Sequence, residues 1–473
     1  MRYEIPSFRI DKRDWIKGCN AYDNYPDGGA LATTVGMNIF SKPGLVTVPP
    51  ALGSSVTAAL PLNGVVSWGI GSGASAPAVI GVLTDATNKG SFGSVAPTTG
   101  AITIVGSADA TRSFKLGITD TVFYSGSFYS TSETDICKNS ADLATRDETW
   151  WTGTSGKAAL TAGIPHPLLV YESIMYIADG RYLHKLDGVT ISTQVWDAPP
   201  DHIITAMVEW NGLIYIVAEP YKNLTGSVHG LSQMFSWDGL LESWYEQYYL
   251  DYRVNSLYVF KNNLFCWTNE FMGVWTGSEM KPVRPVANQV FKSQITATAN
   301  SLLYVDGRNL VRYGAPYIPG LTRKFFPYMT SAALNFAGII SVSGSNLIAS
   351  EKHATSSPIY YIGNLDTPGS AVSKTFDFNL RAFKQGVKVR GIVVEMEALT
   401  TGQTVKLEYV NDKGTTVTPA EATVTTAGLT FKRIDVIGTI ATRSLRPKIT
   451  ITGGAHVRSV DYLFEASENK QNK

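Results

Sequence analysis

The sequence is short of cysteine and of charge. Its three cysteines, Cys19, Cys137 and Cys266, stand far apart in 473 residues with no C-x-x-C spacing. That excludes a disulfide framework or a thiolate metal site and leaves free thiols in or near the core. Charged residues make up 17 % of the chain and sum to +1, so no overall field steers the protein toward nucleic acid or an anionic membrane. Basic residues cluster only at Arg2, Arg9, Lys12, Arg13 and Lys17 and again at Arg443, Arg446 and Lys448. A nucleic-acid groove needs a continuous stripe. No apolar run approaches the roughly 20 residues of a membrane span, and Met1–Gly18 lacks the apolar centre of a secretory signal. The expectation is a chain with no membrane span, made in the cytoplasm.

Catalytic signatures are missing as well. H-E-x-x-H, G-x-S-x-G and G-x-x-x-x-G-K-[ST] do not occur, and the histidines at 166, 184, 202, 229, 353 and 456 are isolated. His166, between two prolines, reads as a turn residue that hydrogen-bonds the backbone, and only His229 is a candidate for ligand contact. Asp179, Asp187, Asp238 and Asp306 each precede a glycine. Recurrence at equivalent turns is what a structural Asp-Gly turn predicts, because the carboxylate bonds nearby backbone, whereas a catalytic pair would be unique to particular copies. We therefore expect no enzyme, no catalytic residues, no metal and no cofactor.

What the sequence has is turns and strands. Forty-three Gly and 22 Pro accompany abundant Thr, Val and Tyr, a composition that favours an all-β chain. Ile164–Gly188 reads as an antiparallel meander, and looser copies follow. Their apolar anchor pairs fall at Tyr176-Ile177, Ile214-Tyr215, Leu264-Phe265, Leu303-Tyr304 and Ile339-Ile340, the last four after turn signals at Asn211-Gly212, Asn262-Asn263, Asn300-Ser301 and Ala337-Gly338. Spacings of roughly 36 to 50 residues are those of propeller blades. Residues 57–157 add shorter strand-like runs that would form two more blades, the second closing at Trp150-Trp151-Thr152-Gly153, while Thr131–Arg146 reads as a short helix or long loop. Five repeats and these two make an expected seven blades over residues 57–369.

Residues 1–56 are thin in apolar residues and dense in turn formers, as an extended arm would be. Residues 370–466 change to longer alternating strands, with a hairpin signal at Asn411–Gly414, and read as a β-sandwich. Residues 467–473 read as a solvated tail. The fold expected is all-β: an N-terminal arm, a β-propeller and a C-terminal β-sandwich.

The arm carries Asp23 and Pro26-Asp27-Gly28-Gly29-Ala30-Leu31, then Lys42-Pro43-Gly44-Leu45, ahead of the β repeats. This arrangement, with the blade-like Ile164–Gly188 and the Trp237-Asp238-Gly239 closure, is similar to the β-propeller virion proteins of tailed bacteriophages found at the neck, tail nozzle or tail tip. The resemblance implies a structural component of the particle that assembles as a ring. Its implied partners are copies of itself and other virion proteins: portal, adaptor, tail or fibre proteins. It also implies location in the virion. The arm residues Trp15, Tyr22, Tyr25 and Leu45 would order on a neighbouring subunit. A second reading is a glycan-binding receptor protein of the virion, and a polysaccharide-cleaving propeller is a third. For contact with a partner or host surface glycan the candidates are Trp244, Tyr245, Tyr248 and Tyr249, beside His229 in the insertion Tyr221–Gln233 of the longest repeat.

Overall fold

The computed structural model describes residues 7–10, 45–47, 55–56, 62–71, 79–85, 89–96, 102–105, 114–115, 120–221, 231–240, 243–307, 309–314, 324–330, 336–343, 346–351, 359–364, 373–377, 381–437 and 441–466. The described residues are almost entirely strand, and their core architecture is a β-propeller.

Five consecutive blades, each a four-stranded antiparallel meander, lie between Thr121 and Thr330. The first is Thr121–Tyr124, Ser127–Thr131, Ile136–Ser140 and Arg146–Asp147, and the second is Leu168–Tyr171, Ile174–Asp179, Tyr182–Asp187 and Thr190–Asp197. The third is His202–Trp210, Leu213–Pro220, Ser232–Trp237 and Glu246–Leu250, and the fourth is Val254–Phe260, Asn263–Thr268, Phe271–Trp275 and Met280–Pro285. Ile295–Ala297, Ser301–Asp306, Asn309–Gly314 and Lys324–Thr330 form the fifth. A leading sheet (Leu62–Ile70, Val79–Asp85, Lys89–Val95, Ile102–Val105, with Phe114–Lys115) and a trailing sheet (Phe336–Ser343, Asn346–Glu351, Ile359–Asn364) flank them. The trailing sheet takes its outer strand, Ser55–Val56, from the N-terminal region. The blade count is therefore five, not the expected seven, because only residues 121–330 repeat as consecutive four-stranded meanders.

The anchor pairs mark where packing is decided. In a strand, successive side chains point to opposite faces. On Ile174–Asp179, Met175 and Ile177 join the cluster shared with the first blade, while Tyr176 and Ala178 join the cluster shared with the third. On Leu213–Pro220, Ile214 and Ile216 face the second blade, and Tyr215 and Val217 face the fourth. Leu264 and Cys266 face the third blade, with Phe265 and Trp267 toward the fifth. Both faces of these strands are buried, so they read as continuous apolar runs. Tryptophans fill the gaps between blades: Trp237 packs edge-on against Tyr176 at 5.6 Å, Trp275 against Tyr248 at 4.8 Å and Trp267 against Tyr304 at 5.6 Å.

The first two strands of four blades are joined by two-residue turns with both residues at positive φ: Ser125-Gly126, Glu172-Ser173, Asn211-Gly212 and Lys261-Asn262. This left-handed pair matches the twist of a hairpin. The turn expected at Asn262-Asn263 is therefore one residue earlier.

Other expectations are corrected. Ile339-Ile340 lies on the first strand of its sheet, not the second, and Ala337-Gly338 is a bulge within that strand. Thr131–Arg146 is a strand pair, Ser127–Thr131 with Ile136–Ser140, because the Thr, Ile and Asn there can face the first blade's ladder. Trp150–Thr154 is one wide helical turn, closed by Ser155 N donating to Trp150 O at 2.8 Å, and closes no blade.

The C-terminal region pairs into one nine-stranded sheet, in which Arg381–Met396 also pairs with Thr442–Thr452 and so joins two layers that share a core. One layer orders Ser7–Ile10, Val457–Ala466, Arg381–Met396 and Phe431–Asp435. The other orders Ser373–Asp377, Thr442–Thr452 and Thr404–Asn411, with two short strands on the last. Side chains of both layers make one core around Ile392, Leu407, Ile449 and Tyr462, whose hydroxyl donates across it to Glu408 O at 2.8 Å. The Asn411 carboxamide accepts from Lys413 N and Thr415 N, building the expected hairpin turn. The described arm residues do not stand apart: Ser7–Ile10 is an edge strand here, and Val46 bridges Val457.

Two predictions follow from this packing. Glu172 and Ser173 hold positive φ without glycine or asparagine, so replacing the pair by Asn-Gly should stabilise the protein by about 1 kcal/mol, read as a higher urea midpoint at unchanged slope. His184 is buried against Trp151 at 5.5 Å and accepts from Gln194 N at Nδ1. Burial holds its pKa below the ordinary value, outweighing the nearby Asp179 charge. A depressed histidine favours the native state above its unfolded pKa of about 6.5, and that contribution is lost as pH falls through the folded value. His184→Gln should therefore flatten the fall in stability below about pH 6.5, measured by urea unfolding from neutral to acid pH.

Candidate functional site

With blade interiors committed to each other, chemistry is confined to loop ends, outer strands and the axis. In a meander, successive turns alternate between the two ends of the blade. In the third blade, Tyr221 and Leu231, on either side of residues 222–230, therefore share an end with Tyr249 and Tyr252, where the outer strand finishes. Tyr221 is 47 %, Leu231 52 % and Tyr249 65 % exposed. Tyr252 rests edge-on against Phe271 at 4.6 Å. The opposite end carries Tyr245, 55 % exposed, and Leu240.

The sequence candidates Trp244, Tyr245, Tyr248 and Tyr249 divide accordingly. Trp244 packs against Phe235 at 4.9 Å and Trp196 at 6.0 Å, and Tyr248 against Trp275, so these two serve interfaces between blades. Tyr245 and Tyr249 are surface groups at opposite ends of the blade. His229, Trp15, Tyr22 and Tyr25 lie outside the described residues. Leu45 is described and buried beside the Val46 bridge to Val457.

The exposed tyrosines are held in place. A relay of side chains crosses the third blade: His202 Nδ1 donates to Pro200 O at 3.1 Å, and the Gln233 amide donates to His202 Nε2 at 3.1 Å. The Gln247 amide donates to Gln233 Oε1 at 2.8 Å and to the Tyr249 hydroxyl at 3.3 Å. At the other end the Tyr245 hydroxyl donates to Asp238 Oδ2 at 3.0 Å, which raises its pKa. Burial, with the bond to Glu246, drives that of Tyr248 well up. Aromatic rings whose hydroxyls are already oriented lose little entropy on contact, which suits a protein partner or a sugar ring. Tyr221 and Leu231 belong to the insertion marked in the sequence, but only the alternation of turns brings them, with Tyr252, to Tyr249's end.

A second feature closes the axis. Lys292, on a short turn before the fifth blade, places Nζ 2.7 Å from Oδ2 of Asp120, just before the first blade's first strand, and 3.3 Å from O of Leu168, on the second blade's first strand. The same turn touches the innermost strands of the fourth blade, the leading sheet and the trailing sheet. A segment meeting all of these must lie over the ring's axis.

The carboxylates flagged by the sequence pin backbone. Asp179 accepts from Thr161 N at 2.8 Å, and Asp306 accepts from Ala287 N and Asn288 N, in both cases the connector from the preceding blade. Asp238 accepts from Leu240 N. His166 is buried with Nδ1 3.1 Å from Ala178 O and Nε2 3.0 Å from Thr161 O, the backbone role expected of it. Cys137 and Cys266 are buried free thiols, and burial pushes the Cys137 pKa up to about 12 and that of Cys266 further. Among the described residues no group of three or more His, Cys, Asp or Glu could hold a metal ion, and no helix is long and apolar enough to cross a membrane.

Packed and exposed aromatics should separate on substitution. Tyr248→Ala should cost about 2–4 kcal/mol through the lost contact with Trp275, while Tyr249→Ala should stay within about 0.5 kcal/mol. Paired urea melts of the two variants check this.

No family model matches the chain, and no curated protein matches it. Among solved structures the chain is similar to YCF48 from Cyanidioschyzon merolae, at 9 % identity and a TM-score of 0.43 over 65 % of this chain and 98 % of that one. It is also similar to Hsv2 from Kluyvelomyces marxianus, at 10 % identity and a TM-score of 0.37 over 62 % and 90 %. A glycoside hydrolase family 43 arabinoxylan arabinofuranohydrolase from Bacillus subtilis matches at 11 % identity and a TM-score of 0.29 over 88 % and 96 %. At these identities and scores none of them assigns a family or a function to this chain.

Proposed function

We propose that this chain is a structural component of a tailed bacteriophage particle, packed in copies into a ring at the neck, tail nozzle or tail tip. The observation that supports it is the rim of the third blade. Its aromatic groups Tyr221, Tyr249 and Tyr252, with Leu231, stand exposed at one end of a blade otherwise buried on both faces, and a side-chain relay orients Tyr249. Such a rim fits a flat protein partner, and large exposed aromatics are the groups that dominate interface energies. The class of particle comes from the resemblance of the arm and blade motifs. Partners in this reading are other copies of the chain and neighbouring virion proteins, its place is the virion, and it performs no catalysis.

The test is immunogold labelling of purified particles together with mass measurement of the purified protein. Label at one end of the head or along the tail, with the protein forming a multimer or binding a particle subcomplex, is the expected result. A protein absent from purified particles, or one that cleaves a host polysaccharide, would overturn the reading. Binding of intact host polysaccharide by the free chain, lost in Tyr249→Ala, would replace it with the glycan-receptor reading.

A further inference from the structure

Among the described residues Ser7–Ile10 is the edge strand of one sandwich layer, paired with Leu463, Tyr462, Asp461 and Val460. It is fitted to that seat. Ile10 is 1 % exposed within the sandwich core, and Phe8 packs against the same core. Arg9 reaches Asp461 at 3.3 Å and Glu395 at 3.2 Å, and donates to Ser459 Oγ at 3.0 Å. Ser459 in turn donates to Glu395 at 3.0 Å. Without the strand, Glu395 and Asp461 lose the Arg9 cation they share, a core position empties and Val460–Leu463 lose their ladder partner. An aliphatic side chain next to a guanidinium, on a strand of the right direction, is what the seat demands, and this segment of the chain supplies it.

The covalent connection does not dictate whose strand fills the seat. Ile10 pairs with Val460 and Val46 with Val457, so both ends of residues 11–44 meet one strand only three positions apart. Three strand positions span about 10 Å. Thirty-four residues reach at most on the order of 110 Å. The strand's contacts are identical whether it comes from its own chain or another, so exchange sacrifices none of them.

We propose that Ser7–Ile10 seats on the sandwich of a neighbouring copy of this chain, linking successive copies by an exchanged edge strand. The proposal rests on the ring-assembly reading and names its joint. Once copies are packed side by side, the local concentration of the neighbour's strand decides the exchange, and addition of a strand to a sheet edge supplies the register.

The test co-expresses two full-length chains of different tag length, both carrying Cys19→Ser, one with Ser7→Cys and the other with Leu463→Cys, positions directly opposite in the ladder. A third chain carries both new cysteines. Exchange predicts a covalent heterodimer on a non-reducing gel after mild oxidation, reduced at least about tenfold when Ile10→Asp removes the core anchor. A heterodimer indifferent to Ile10→Asp reports random collision and overturns the proposal. So does a multimer in which the doubly substituted chain closes only on itself, a result that leaves the ring reading standing. A protein that stays monomeric both free and with particle components overturns both.

Discussion

The second, third and fourth blades of this propeller are each buried on both faces by their neighbours, and the rest of the structure depends on that. A single strand such as Ile174–Asp179 sends alternate side chains into two different clusters, so there is no central core to which a blade contributes; the core is the set of seams. Each seam needs large side chains because the sheets splay apart with distance from the axis, and Trp196, Trp237, Trp267 and Trp275 supply that volume. The trailing sheet's first strand touches the leading sheet's first strand, and its outer strand is drawn from the N-terminal region, so segments distant in sequence are tied together there. Lys292, bonded to the first and second blades from the entry to the fifth, adds a tie across the axis.

The same constraint explains the repeated aspartates. A connector between blades exposes backbone amides that no ladder satisfies, and buried amides must find acceptors. Asp179 and Asp306, at the ends of equivalent strands, accept from such connectors. At the corresponding position of the third blade Glu219 is fully buried, accepting from Val254 N at 2.9 Å and Ser232 Oγ at 2.6 Å. Asp306 and Glu219 are buried and Asp179 is half-buried, and their recurrence from blade to blade follows from the repeat itself.

The features legible in the sequence were those set by two-sided burial. Tyr176-Ile177, Ile214-Tyr215, Leu264-Phe265 and Leu303-Tyr304 all lie on second strands, because only a strand buried on both faces runs apolar without alternation. Ile339-Ile340 has the same composition but sits on a first strand, since innermost strands are also enclosed, and composition cannot distinguish the two. The Ile164–Gly188 meander implied a turn between its apolar runs, but not its type: the ladder on either side forces Glu172-Ser173 into a left-handed pair. The aromatic cluster at Trp244–Tyr249 was legible as a cluster but not as two roles. Which of its members face a neighbouring blade depends on the strand's register against Ser232–Trp237, a long-range fact. The sheet partner of Ser7–Ile10 was the least legible of all, because it lies more than four hundred residues away.

These observations divide the molecule by how much freedom each part has. Seams tolerate little change, since a side chain there is held by two blades and a smaller one leaves a gap that neither can close. The third blade's rim and the sandwich edge are free of that constraint, and they are also where side chains are arranged beyond what folding needs. Tyr249 receives a hydrogen bond although it is mostly exposed, and Arg9 satisfies two carboxylates at a surface where water would serve. Exposed ion pairs contribute little to stability on their own; the one at Arg9 matters because it is coupled to Ile10, which drives the strand into the core while the charges fix its register. An apolar anchor with a flanking charge pair gives a strand that binds one edge, in one direction.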